Sequence, residues 1–186
     1  APAQDISVRA TLYDAAGKVI RSLASPKKTV APGASELTEL SGLIENPAKW
    51  SAEYPNLYRL TFELLGASGQ VTEVISGRIG FKETEIRNQV FYLNGVPLKL
   101  NGINSHMQHP DLGHTMDRET ILKDFTLMKQ FNINCVRTSH YPPVKEYLQL
   151  ADEMGIYVVD ECGDEAHATE FISHDSLWTK SYVERA

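Results

Sequence analysis

Three clusters of polar residues in this chain have the types and spacing that chemistry requires. The first is Asn104, His106, Gln108, His109 and His114. The second is Arg137-Thr138-Ser139-His140-Tyr141, and the third is Asp160, Glu161, Asp164, Glu165 and His167. Histidines and amides at this density can hydrogen-bond a polyol or bind a metal, although a single histidine is more often a structural hydrogen bonder. Arg137 sits in an apolar stretch, where a guanidinium is costly without a carboxylate. Asp160 or Glu161 is the ordinary partner to expect. Ser139 and His140 are neighbours in sequence, which does not make a catalytic triad, but the imidazole and the adjacent Tyr141 ring can stack on or hydrogen-bond a sugar ring. Glu165 and His167, two apart, can point at one hard cation. Oxygen-rich ligation with one imidazole suits magnesium or manganese better than zinc.

Each cluster follows an apolar run, and amphipathic segments lie between them. Leu98, Leu100 and Ile103 begin a first buried strand, Val136 marks a second, and Ile156-Tyr157-Val158-Val159 reads as a third, buried on both faces. Asp117 is a good N-cap for a helix whose stripe is Ile121, Leu122, Phe125, Met128 and Phe131. Pro143 suits the first turn of a second helix. Its stripe is Val144, Tyr147, Leu148, Ala151 and Met154, and Gly155 closes it. Ser176–Arg185 reads as a third helix. Parallel strands that deliver polar residues from their C-terminal ends to one face are how a βα barrel builds a pocket.

The N-terminal part reads differently. Ile6, Val8, Ala10 and Leu12 alternate with polar residues, as do Tyr58, Leu60, Phe62 and Leu64. Asp14-Ala15-Ala16-Gly17 and Gly66-Ala67-Ser68-Gly69 are turns. Short strands with turn signals and no helix suggest an antiparallel sandwich. Trp50, Tyr54 and Tyr58 read as core and edge packing. Val90–Leu93, Asn94-Gly95 and Val96–Leu98 read as a hairpin with a type I′ turn. The expected division is residues 1–82 and residues 83–186.

Bulk composition narrows the function classes. Of 186 residues, 18 are basic and 24 acidic, a net charge of −6, which argues against nucleic-acid binding. Hydrophobic residues make up 42%, so a packed core is expected rather than disorder. No apolar run approaches the roughly 20 residues that span a bilayer. Residues 1–30 lack a signal peptide's basic start and apolar stretch. Cys135 and Cys162 read as small buried thiols, and two cysteines at this spacing make no zinc signature.

The chain resembles glycoside hydrolase family 2, in particular its large bacterial β-galactosidases. The resemblance rests on KWSAEYPNLYRL (49–60), GRIGFKETEI (77–86), NGVPLKLNGINSHMQHPDLGHTMD (94–117), LMKQFNINCVRTSHYP (127–142) and GIYVVDECGDEAH (155–167), five segments in the family's order. It implies an all-β immunoglobulin-like sandwich over 1–82, entered without its first strand, followed over 83–186 by the first three βα units of a (β/α)8 TIM barrel. It implies hydrolysis of terminal β-galactosides with retention. β-Glucuronidases share the RTSHYP text, and a β-glucuronidase or β-mannosidase is the alternative within the family. A non-catalytic binding or structural module is the alternative outside it. The HP-x-x-G-x-x-M-D loop and the E-x-H after the third strand favour the galactosidase.

Residue by residue, the resemblance implies that His106, His140 and Asn104 bind the sugar and that Arg137 supports the nucleophile carboxylate. It implies that Glu165 and His167 ligate an active-site magnesium. The nucleophile and the acid/base, Glu residues on the fourth and seventh strands, are expected beyond Ala186, so the chain alone is expected to be an inactive fragment. Two departures stand out. Ser105-His106-Met107-Gln108-His109 replaces the usual Arg-His-Glu-His-His, and Ala168 replaces the glycine after the metal-binding histidine. A partial barrel leaves an open strand edge, so a homo-oligomer is expected. The expected partners are a β-galactoside substrate, with no nucleic acid and no membrane, in a bacterial cytoplasm or periplasm.

Overall fold

A computed structural model describes residues 3–163 and 165–185. The chain divides into two compact units, Ala1–Ser51 with Asn56–Glu83, and Ala52–Pro55 with Thr84–Ala186.

The first unit contains strands β1 (Gln4–Tyr13), β2 (Val19–Ala24), β3 (Lys28–Val30), β4 (Tyr58–Leu65) and β5 (Val71–Ile79). They form an antiparallel sheet in the order β2-β1-β4-β5, and β3 pairs with the start of β1. Asp14 shapes the first turn by accepting from the Ala16 and Lys18 amides through Oδ1. Because β1 is central, Ser7 and Thr11 are buried along with Ala10 and Leu12, so its alternation is weaker than the sequence suggests. Trp50 is buried and Tyr58 meets Phe81 edge-on at 5.1 Å, but Tyr54 is 73% exposed and belongs to no core. Phe62 is also not fully inward. It lines an incompletely filled cavity of about 490 Å³ with Ile6, Val8 and Leu37.

The second unit opens with a meander of β6 (Thr84–Arg87), β7 (Val90–Leu93) and β8 (Val96–Pro97). Asn94 and Gly95 both take positive φ, 53° and 81°, as a type I′ turn requires. Strand β6 is an addition to the sequence reading. Its turn to β7 is made by Asn88 and Gln89, also at positive φ, a pair with weaker turn chemistry than Asn-Gly.

A parallel sheet follows in the order β11-β10-β9, made of β9 (Gly102–Ser105), β10 (Cys135–Thr138) and β11 (Tyr157–Val159). Between them run α1 (Arg118–Gln130) and α2 (Lys145–Met154). Strand β9 starts later than the run from Leu98 predicts, and Leu100 and Ile103 are exposed. The reason is side-chain competition for the backbone. Asn134 Oδ1 accepts from the Asn101 amide at 2.8 Å and its Nδ2 donates to the Lys99 carbonyl, while Asn101 Nδ2 donates to the Asn132 carbonyl. These bonds replace a ladder, which begins only at Gly102. There a Cβ would stand 3.3 Å from that of Cys135.

Asp117 caps α1 through Oδ1, which accepts from the Thr120 amide at 2.9 Å. Ile121, Phe125 and Met128 pack into a core with Val136, Tyr147, Leu150, Ala151 and Ile156. Phe131 does not join them. As the C-cap it has turned off the stripe and is 71% exposed. In α2 the buried face is rotated from the expected one. Val144 is the N-cap and exposed, and Leu150 takes its place in the core. Pro143 therefore precedes the helix. Gly155 ends it at φ 72°. The third strand is not buried throughout. Ile156 is covered, but Val159 is 48% exposed because β11 is an edge of the sheet. Past it, 3₁₀ turns at Glu170–His174 and Ser176–Trp178 lead to α3 (Thr179–Arg185), so the last helix begins three residues later than expected. Neither cysteine is in a disulfide; Cys135 is buried and Cys162 partly so. Among the described residues no helix is long and apolar enough to cross a membrane.

Candidate active site

The three parallel strands end side by side. Register pairs Arg137 with Asn104 on β9 and with Val159 on β11, so residues just past those positions emerge at one level. There His106 and His140 stand edge to face, with ring centroids 5.4 Å apart. Tyr141 lies under both the first strand end and the loop that follows. Its hydroxyl is 3.3 Å from His106 Nδ1 and accepts from the Met107 amide at 3.1 Å, and the His114 ring rests 4.7 Å from its own.

Arg137 has found its carboxylate. Its Nη2 donates to Glu161 Oε1 at 2.6 Å and lies 3.0 Å from His140 Nδ1. The Arg137 N–H holds the Glu161 carboxyl below the usual range, aided by the positive charge, while burial opposes the shift. The other oxygen, Oε2, is buried with no hydrogen-bond partner. Thr138 Oγ1 accepts from the Glu161 amide at 3.0 Å and fixes where the side chain departs. The same Nδ1 of His140 also lies 3.2 Å from Glu165 Oε2. That nitrogen can accept from Arg137 when bare and donate to Glu165 when it carries the proton. His140 is thus held by either of two partners, according to its tautomer.

Of the residues singled out from sequence, His106, His140, Arg137 and Glu165 come together. Asn104 lies beside them, lining with His106 and Asp124 a groove of about 510 Å³ along the free edge of β9. His167 is 89% exposed, with Nδ1 3.9 Å from Glu165 Oε1. That separation is wider than the about 3 Å between adjacent ligands of one magnesium ion with bonds of about 2.1 Å. The donor chemistry fits magnesium, but no group of three or more His, Cys, Asp or Glu with metal-site geometry occurs among the described residues. Asp164 lies outside the described residues.

Two features had no signal in the sequence. Tyr141 supports His106 across 35 positions. His109 accepts two loop amides through Nδ1, from Asp111 at 3.0 Å and Leu112 at 3.1 Å. Only the folded loop brings either set of atoms together.

Comparison with known proteins places both halves. The family described as "Glycosyl hydrolases family 2" matches residues 1–82, and "Glycosyl hydrolases family 2, TIM barrel domain" matches residues 84–185. A β-galactosidase of Vibrio cholerae is 39% identical over 96% of this chain and 18% of its own length. One from Photobacterium profundum is 41% identical over 76% of this chain and 14% of its own. The chain thus spans less than a fifth of these relatives. Among solved structures, a β-glucuronidase of Ruminococcus gnavus in complex with D-glucuronic acid superposes with a TM-score of 0.70 at 28% identity, over 83% of this chain and 25% of its own. A β-glucuronidase of Bacteroides uniformis gives a TM-score of 0.77 at 25% identity, over 84% of this chain and 19% of its own.

Proposed function

Because the chain belongs to glycoside hydrolase family 2, as an immunoglobulin-like domain and the start of a TIM barrel, we propose that it forms one wall of the active site of a retaining β-galactosidase. On this reading the barrel part contributes the first three βα units. The observation that carries the reading is the pairing of His106 with His140 at adjacent strand ends, in a chain 39% identical to a β-galactosidase over 96% of its length.

Cleavage of a β-galactoside with retention needs two carboxyl groups about 5–5.5 Å apart, one as nucleophile and one as acid/base. We assign neither to this chain, since Glu161 is paired with Arg137, and Glu165 faces His140 through Oε2 and His167 through Oε1. The residues gathered here bind and orient instead. His106, His140 and Asn104 hydrogen-bond sugar hydroxyls. Arg137 holds a carboxylate in place and keeps it ionised. Glu165 and His167 supply two ligands to magnesium, which when bound adds positive charge beside the sugar. The catalytic pair belongs to the part of the relatives' length that this chain does not span.

The structural likeness to β-glucuronidases favours one second reading, a glucuronide substrate. Chromogenic β-galactoside, β-glucuronide and β-mannoside offered to the natural-length protein separate the readings. Preference for the galactoside, with KM raised in His106→Ala, is expected. Preference for the glucuronide would overturn the galactoside assignment. Turnover by the 186-residue chain alone would overturn the division of roles.

A further inference from the structure

The loop between β9 and α1 hangs on an imidazole that the proposed sugar contacts do not use. His109 and Gly113 exchange backbone hydrogen bonds, at 2.8 Å and 3.0 Å, which closes the five residues His109-Pro110-Asp111-Leu112-Gly113 into a ring. Gly113 makes the closure possible at φ 77°. Pro110 has no N–H. The two remaining amides inside the ring, Asp111 and Leu112, both donate to His109 Nδ1. The arrangement is that of an Asx turn with a ring nitrogen in place of the carboxamide oxygen.

Two donors on one ring nitrogen leave one compatible state, Nδ1 bare and the proton on Nε2. A doubly protonated ring sets N–H against two N–H groups. The loop matters because of what flanks it. On one side His106 and Met107 are tied to the Tyr141 hydroxyl, and on the other His114 packs on the Tyr141 ring. Closure of the ring at His109 therefore sets how His106 and His114 grip Tyr141.

We propose that His109 is a positioning residue for His106, with its bare Nδ1 latching the loop and protonation of that nitrogen releasing it. The Asp117 carboxylate, at the N-terminus of α1, interacts electrostatically with the ring. The Thr120 amide holds the Asp117 carboxyl low, and the two loop amides occupy the lone pair of His109 Nδ1. The consequence for substrate rests on the galactoside reading above, but the latch itself does not.

The test uses natural-length protein with ¹⁵N-labelled histidine, together with hydrogen exchange of the 108–116 peptide. Near neutral pH, His109 should carry its proton on Nε2. On acidification, the Asp111 and Leu112 amides should exchange about tenfold faster than in His109→Asn at the same pH, because Asn Oδ1 keeps an acceptor that does not titrate. In His109→Ala they should exchange fast at every pH. The His106 ring resonances should follow the titration of His109 in the wild type and not in His109→Asn. A proton on Nδ1 at neutral pH, or slow exchange in His109→Ala, would overturn the latch. A latch without any response at His106 would overturn the positioning role. Absence of turnover on a β-galactoside, with these signals intact, would count against the galactoside reading alone.

Discussion

Arg137 Nη2 lies 2.6 Å from Glu161 Oε1 and 3.0 Å from His140 Nδ1, so one guanidinium nitrogen joins a carboxylate past β11 to an imidazole past β10. The pair is half-exposed, with side chains 39% and 31% accessible. Its role is therefore better read as positioning than as stability.

The pair has a pH signature. Glu161 has a lowered carboxyl pKa in the folded state, so its contribution is complete above the ordinary carboxylate pKa and is lost as pH falls through the lower folded value. A ¹³C titration of the Glu161 carboxyl should show a midpoint below that of a free glutamate, and Arg137→Ala should return it toward the ordinary range. A midpoint that Arg137→Ala leaves unmoved would refute the pairing.

Gly155 should tolerate no side chain. It sits at φ 72°, and a Cβ there would run into the backbone carbonyl of Ala52, which belongs to the same unit. Left-handed strain and the clash together predict a loss of about 2–4 kcal/mol in Gly155→Ala. Chemical denaturation measures it, and a loss under about 1 kcal/mol would mean that Ala52 moves aside.

Tyr147 is fully buried, packs edge-on to Phe125 at 4.7 Å, and has a hydroxyl with no hydrogen-bond partner. The Ser105 side chain lies near it without hydrogen-bonding geometry. Burial pushes the phenol up to about 12. The neutral form is thus favoured, and the associated stability is present below the ordinary tyrosine pKa and lost as pH rises through about 12. Tyr147→Phe should leave stability unchanged or raise it by about 1 kcal/mol, because the orphan hydroxyl goes and the ring stays. Tyr147→Ala should cost about 3–5 kcal/mol. Marked destabilisation by Tyr147→Phe would reveal a partner for the hydroxyl.

Ala168 holds φ 60°, where an L-residue with a Cβ is strained. Ala168→Gly should relieve this and stabilise the turn after His167 by up to about 1 kcal/mol. Hydrogen exchange across 165–172 should slow, and faster exchange there would show that the turn gains nothing.

Magnesium should bind the 186-residue chain weakly. Glu165 and His167 offer two donors, and no described third completes a metal group. Titration calorimetry should find no micromolar site, and Glu165→Gln should change little in this chain. A micromolar site lost in Glu165→Gln would mean a complete ligand set.

What the sequence determined by itself is local. Asp117 starts a helix because its carboxylate reaches an amide three residues on, Gly155 stops one because only glycine takes that φ without strain, and Asn94-Gly95 turns a hairpin for the same reason. Each signal and its effect lie within a few bonds of one another, and the alternation of strand and helix follows from them. Tertiary structure decided everything that depends on a neighbour. Phe131, Val144 and Val159 carry the right side chains for a core, yet they are exposed because burial is set by which face meets a partner. The choice of Glu161 for Arg137 needed the β10–β11 register, which pairs Arg137 with Val159 two residues before the glutamate. His109 looked like another histidine of the site until the loop folded. Its two hydrogen bonds come from backbone amides, which every residue but proline carries, so only the path of the chain could bring them to one ring nitrogen.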